Sequence, residues 1–82
     1  MDKFKVWIKK ECPYCDDARN LLLEKRLPHE IVVVDGREDL LREVQAKYGW
    51  DTVPVIVEET NEETALVGGY TDLVEHLERK ES

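Results

Sequence analysis

Cys12-Pro13-Tyr14-Cys15 stands between an apolar stretch, Phe4-Lys5-Val6-Trp7-Ile8, and a leucine-bearing stretch of helical spacing, and its reading decides the fold. These are the two cysteines of the chain. Three residues apart on the first turn of a helix, two thiols can close into a small disulfide and reopen, while the helix N-terminus lowers the pKa of the first. Pro13 suits the first helical position, where its missing N–H costs nothing, and this makes Cys12 the N-cap. The same spacing is half of a four-cysteine zinc site, so electron exchange and metal binding are both open on the motif alone.

Working outward, Phe4 to Ile8 reads as a strand of large and β-branched residues. Cys15, Ala18, Leu21 and Leu22 follow at helical spacing, so the first helix is expected to run to about Lys25 or Arg26, with Pro28 as its stop. Ile31-Val32-Val33-Val34 is a continuous apolar run, the pattern of a strand buried on both faces. After Asp35-Gly36, Leu40, Leu41, Val44 and Tyr48 mark a second helix that ends at Gly49. Val53-Pro54-Val55-Ile56-Val57 reads as a third strand with proline near its start, where a missing ladder donor is tolerated. Thr60-Asn61-Glu62 makes a turn into a fourth strand, Thr64 to Val67, and Gly68-Gly69 closes that hairpin. Leu73, Val74 and Leu77 line a last helix with a charged end that is expected to fray. The order is β-α-β-α-β-β-α, an α/β fold with a central four-stranded mixed sheet flanked by three helices on both faces. The first two strands would be parallel and the last two antiparallel. The cysteine pair then lies outside the carboxyl end of the first strand, where such sheets place their chemistry.

The chain has 82 residues, enough for one domain spanning residues 1–82 with a modest core. Twelve basic and nineteen acidic side chains leave a net charge of −7, which excludes a phosphate backbone as partner. Glu58-Glu59, Glu62-Glu63, Glu75, Glu78 and Glu81 read as solvated surface, with selection of a basic partner as the sharper alternative. The stretch before Lys9-Lys10 is too short for a signal-peptide core, and no segment approaches the roughly 20 apolar residues of a membrane span. A cytoplasmic, reducing location is therefore expected, where a lone cysteine pair is catalytic or metal-binding rather than a permanent staple.

Taken together, the strand–Cys-Pro-Tyr-Cys–helix opening, Thr52-Val53-Pro54 and Gly68-Gly69-Tyr70-Thr71-Asp72 resemble a glutaredoxin over essentially the whole chain. The resemblance implies a thioredoxin-like fold and a small dithiol–disulfide oxidoreductase of monomeric form, acting on protein disulfides and glutathionylated proteins. It makes Cys12 the nucleophile and Cys15 the resolving thiol. It implies no tightly bound cofactor, with glutathione as co-substrate. Pro54 matches the family's cis-proline, which would turn the Val53 backbone outward to pair with an extended substrate. For glutathione the resemblance implies a groove formed by Lys9, Tyr14, Thr52, Val53, Pro54, Gly69, Tyr70, Thr71 and Asp72. There the helix N-terminus suits the γ-glutamyl carboxylate and Asp72 its ammonium; plain helix capping by Thr71 and Asp72 is the simpler role.

Two departures stand out. Where the family often has glutamine or arginine eleven residues before Thr52, for the glycyl carboxylate, this chain has Leu41, with Arg37 and Arg42 close by. Before the threonine it has Asp51, preceded by Trp50. Gly49-Trp50 also resembles the redoxins that take electrons from thioredoxin reductase and serve ribonucleotide reductase, and this is the alternative reading. Remoter ones are an iron–sulfur cluster shared between protomers and a redox-inert interaction domain. No metal site is expected, since no second cysteine pair exists and His29 and His76 read as a loop residue and a partly exposed helix residue. Trp7 and Trp50 read as packing or groove residues.

Overall fold

The computed structural model describes residues 2–81, in the order β1 (Lys3–Ile8), α1 (Pro13–Glu24), β2 (His29–Val33), α2 (Glu38–Tyr48), β3 (Val55–Glu59), β4 (Thr64–Gly68) and α3 (Tyr70–Glu81). The sheet order is β2-β1-β3-β4. β1 runs parallel to β2, with Val6 opposite Ile31, and antiparallel to β3, with Val6 opposite Ile56. β3 and β4 are antiparallel, and their register slips by one residue between Ile56 and Val57. The mixed four-stranded sheet of a thioredoxin-like fold is thus in place.

Side chains alternate across the two faces as the pleat requires. Phe4, Val6 and Ile8 of β1 and Ile56 of β3 pack against Cys15, Ala18 and Leu22 of α1 and Leu73 and Leu77 of α3. Trp7, Val55 and Val57 point to the other face and pack with Val34 and with Leu41 and Val44 of α2. Burying a Leu or Val side chain contributes about 1.5–3 kcal/mol, so these two clusters are what holds three helices to four strands.

The helix ends follow local chemistry. α1 stops at Glu24, a residue or two earlier than the spacing suggests, because Arg26 turns to φ +57 and the amides of Arg26 and Leu27 close the end by bonding the carbonyls of Leu23 and Leu22. α2 ends on Gly49 at φ +66, the left-handed cap that favours glycine. The amide of Thr60 bonds the Glu63 carbonyl at 2.8 Å, and the Thr60 hydroxyl accepts from the Glu62 and Glu63 amides, closing the β3–β4 turn.

Several expectations are corrected. Ile31 to Val34 is not a strand buried on both faces: β2 pairs with β1 alone, so it is an edge strand, and Val33 is 39% exposed. Val34 lies past its end and is the residue fully buried under α2. β3 begins at Val55 rather than Val53, since Pro54 has no N–H to give the ladder. His29 opens β2 instead of lying in a loop, with its Nδ1 2.7 Å from the Leu27 carbonyl oxygen. β4 also runs one residue further than expected, to Gly68.

Glu58, too, is not solvated surface. β3's alternation aims it at the α1/α3 face, where it is buried and bonded to His76 Nε2 at 3.0 Å and to Lys80 Nζ. The His76 ring meets Phe4 edge-on, with centroids 6.1 Å apart, and Lys80 lies over the same ring. Burial pushes the Glu58 pKa up, but the hydrogen bonds and charges of Lys80 and His76 outweigh it and hold the carboxyl below its usual value. A depressed folded-state pKa stabilises the fold above the unfolded value and loses that contribution as pH falls through the folded one. Glu58→Gln should therefore cost roughly 1–2 kcal/mol near neutral pH. It should also flatten the stability profile below about pH 4.5, where wild type still declines. Urea titrations across that range check both; equal acid limbs in the two proteins would remove Glu58 from the acid response.

Candidate active site

Three chain segments converge at the carboxyl end of β1. The first is the start of α1. Cys12 adopts an extended conformation at its N-cap, and its Sγ accepts the amide of Cys15 at 3.2 Å. The N–H that caps the helix is therefore aimed at the sulfur, together with the positive end of the helix dipole, and in the reduced protein both favour a thiolate there. Cys12 and Cys15 are joined as a disulfide, with their Cα atoms 5.1 Å apart. The two sulfurs differ in access: Cys15 is fully buried against Ala18 and Leu22, while Cys12 is half-buried at the rim.

The second segment is the approach to β3. The Val53–Pro54 bond is cis, and the Val53 carbonyl oxygen lies 3.9 Å from Cys12 Sγ. Pro54 itself is buried. The third is the turn from β4 into α3. The Gly69 amide donates to Asp72 Oδ2 at 3.0 Å, so Asp72 reaches back one turn and caps the helix that begins at Tyr70. That assigns the capping role to Asp72, with α3 opening one residue before Thr71.

A groove of about 360 Å³ lies between these segments, lined by Tyr14, Trp50, Thr52, Val53, Pro54, Gly69, Tyr70, Thr71 and Asp72; Cys12 is not on its wall, but its Sγ is 3.9 Å from the carbonyl oxygen of Val53, which is. The sequence residues assigned to the groove thus come together there, with one exception: Lys9 is half-buried and does not line it. Tyr14 is 61% exposed and stacks on Tyr70, centroids 6.4 Å apart, which ties the cysteine loop to α3. Trp50 both packs against the α2 cluster and lines the groove, and its buried Nε1 has no hydrogen-bond partner. Leu41 is 8% exposed and belongs to the α2 core, so it cannot meet a ligand in the groove. Arg42 pairs with Asp39 at 3.4 Å, and Arg37 stands at the N-cap of α2.

A larger concavity of about 610 Å³ follows the start of α2, from Gly36 to Leu40 with Glu43. Its walls hold no thiol, so size alone points away from the chemistry, and the smaller groove beside Cys12 is the candidate site. Among the described residues, no group of three or more His, Cys, Asp or Glu converges as metal ligands.

A thioredoxin-like fold with a Cys-x-x-Cys at the start of α1 and a cis-proline beside it defines the class as a dithiol redoxin. A glutaredoxin family model matches residues 4–61. The glutaredoxin of Pseudomonas aeruginosa is 40% identical over 63 residues, 76% of this chain and 69% of that protein. The N-acetyl-S-hydroxy-L-cysteine reductase of Bacillus subtilis is 43% identical over 51 residues, 62% of this chain. The chain spans about half, 55%, of that relative's length. Among solved structures, the dithiolic glutaredoxin 2-C-Grx1 of Trypanosoma brucei brucei superposes with a TM-score of 0.73 at 32% identity, over 96% of this chain and 79% of that one. Glutaredoxin 1 of Francisella tularensis, complexed with cacodylate, gives 0.74 at 19% identity over 96% and 95%, a likeness of fold. The chain belongs to the glutaredoxin family of thiol–disulfide oxidoreductases.

Proposed function

We propose that residues 1–82 form one catalytic domain that reduces protein disulfides and mixed disulfides between proteins and small cysteinyl thiols, with glutathione as co-substrate. The observation that carries this reading is the half-buried Cys12, its Sγ 3.9 Å from the carbonyl oxygen of Val53 on the groove wall, with its resolving partner fully buried. Cys12 thiolate attacks the sulfur of the small thiol in a mixed disulfide, and the protein thiolate leaves and takes up a proton. The small thiol, now disulfide-bonded to Cys12, lies along the groove. A second small thiol then releases it, or Cys15 displaces it and leaves the Cys12–Cys15 disulfide. For a protein disulfide the Cys15 step is obligatory, because the bound protein must be released.

The groove walls support roles for named residues. The Val53 backbone would pair with the cysteinyl unit, Tyr14 and Tyr70 would wall it, and Thr52 and Thr71 offer hydroxyls. No described helix is long and apolar enough to cross a membrane, and a cytoplasmic location is part of the proposal. The test is turnover of a glutathionylated peptide with NADPH, glutathione reductase and millimolar glutathione. Fast turnover is the expected result. Absence of turnover from protein whose Cys12 alkylates readily at neutral pH would hand the reading to a redoxin fed by thioredoxin reductase, with ribonucleotide reductase as acceptor; Trp50 at the groove, next to Gly49, is the feature that favours it.

A further inference from the structure

The charge inventory of the groove is lopsided. Among its lining residues Asp72 alone carries a charge, and it is negative. Asp51, exposed between the lining residues Trp50 and Thr52, adds a second carboxylate at the rim. The cations that the sequence offered for a ligand do not line the groove: Arg42 pairs with Asp39, Arg37 lies on the wall of the other concavity, and Lys9 is off the groove. Leu41 is sealed in the core. What remains on the walls is neutral: two threonine hydroxyls, two tyrosines, the Val53 backbone and the Trp50 ring, whose N–H is buried. The first-turn N–H groups at Tyr70 and Thr71 lack intrahelical partners and suit one carboxylate. Nothing on the walls suits a second.

We infer that the groove discriminates against a carboxylate at the glycyl end of a glutathione-like thiol adduct, favouring an adduct in which that one position is neutral and the rest of the ligand is unchanged. This rests on the reading that Cys12 opens mixed disulfides in this groove and names the substrate class of that same site. The glycyl carboxylate of glutathione finds no cation among the lining residues and lies in the field of Asp51 and of a chain of net charge −7. The repulsion is exposed and therefore modest, and salt screens it. An amide or ester at the same position nearly keeps the size of the ligand, removes the repulsion and can accept from neutral donors such as the threonine hydroxyls of the wall.

The experiment uses the reduced full chain in excess over an uncharged peptide whose single cysteine carries either glutathione or its glycyl ethyl ester. Peptide release is followed by chromatography at low salt and at high salt. The ester adduct should be opened about two- to fivefold faster at low salt, the range of an exposed charge pair, and the gap should close as salt rises. Asp51→Lys should narrow the low-salt gap by speeding the glutathione adduct while the ester rate stays nearly constant. A glutathione adduct opened as fast as the ester or faster at low salt, or a gap indifferent to both salt and Asp51→Lys, would overturn the inference. Failure to open either adduct, with Cys12 still alkylated at neutral pH, would overturn the proposed function and this inference with it.

Discussion

Replacing Cys12 with serine is expected to abolish reduction of both protein disulfides and glutathionylated substrates, while Cys15→Ser removes the first and keeps the second. The asymmetry follows from placement. Cys12 stands half-buried at the helix N-cap, and its Sγ takes the Cys15 amide at 3.2 Å and lies 3.9 Å from the Val53 carbonyl oxygen. Cys15 is fully buried beneath it, where an external disulfide cannot reach. A hydroxyl at position 12 supplies no thiolate, so the loss should be on the order of a thousandfold or more, the scale on which removal of a nucleophile acts. In Cys15→Ser the mixed disulfide still forms on Cys12, and free glutathione can release it. With a protein disulfide the same variant stalls as a covalent complex, visible as an adduct by intact mass. Equal loss of both activities in the two single variants would contradict this division of labour.

The placement behind that expectation was legible in the sequence because it rests on chemistry local to four residues: proline at the first helical position, a cysteine before it as N-cap, a second cysteine one turn in. The fold was legible for a related reason, since β1 and α1 have clear periods and Gly49 and Pro28 stop their helices or follow them closely. What escaped depends on neighbours distant in the chain. The run Ile31 to Val34 has the composition of an interior strand, yet its place at the sheet edge is set by β3 pairing with the other side of β1. Glu58 sits in an acidic run, and only the meeting of β3 with α3 supplies His76 and Lys80 to bury it. Lys9 lies three residues before Cys12, and which way it projects is decided by the loop, so its absence from the groove wall could not be read from spacing. Trp50 could have been placed more firmly: Gly49 ends α2 and Pro54 opens onto the cysteines, and a large aromatic in so short a connection has little but the groove and the α2 core to pack against.

Gly68→Ala is expected to damage both the fold and the groove, because one glycine serves both. Gly68 sits at φ +122, a conformation that L side chains rarely adopt, at the end of β4 and opposite Ile56. A Cβ there would lie 2.7 Å from Asp72 Oδ2, 2.8 Å from its Cγ and 2.9 Å from its Cβ. The last of these is fixed to the α3 backbone, so rotating the carboxylate away does not resolve the clash, and the first turn of α3 must move. Moving it breaks the Gly69 amide–Asp72 bond that caps the helix. Backbone strain of about 1–3 kcal/mol and loss of a cap of about 1 kcal/mol together give a destabilisation of roughly 2–4 kcal/mol. In a chain of this size that lowers Tm on the order of 10–30 °C. Gly69→Ala is the informative contrast. Its Cβ would meet Trp50 Cζ2 at 3.5 Å and Asp72 Oδ2 at 3.7 Å, ordinary contact distances on the groove wall. Stability should therefore stay within about 1 kcal/mol of wild type, while the added methyl narrows the space between Trp50 and α3 and raises KM for the small-thiol adduct. Thermal melts and adduct kinetics on the two variants separate the roles. If Gly68→Ala melted with wild type, the close approach of β4 to Asp72 would not be a constraint on the fold. If Gly69→Ala left KM untouched, the ligand would not pass between Trp50 and the start of α3.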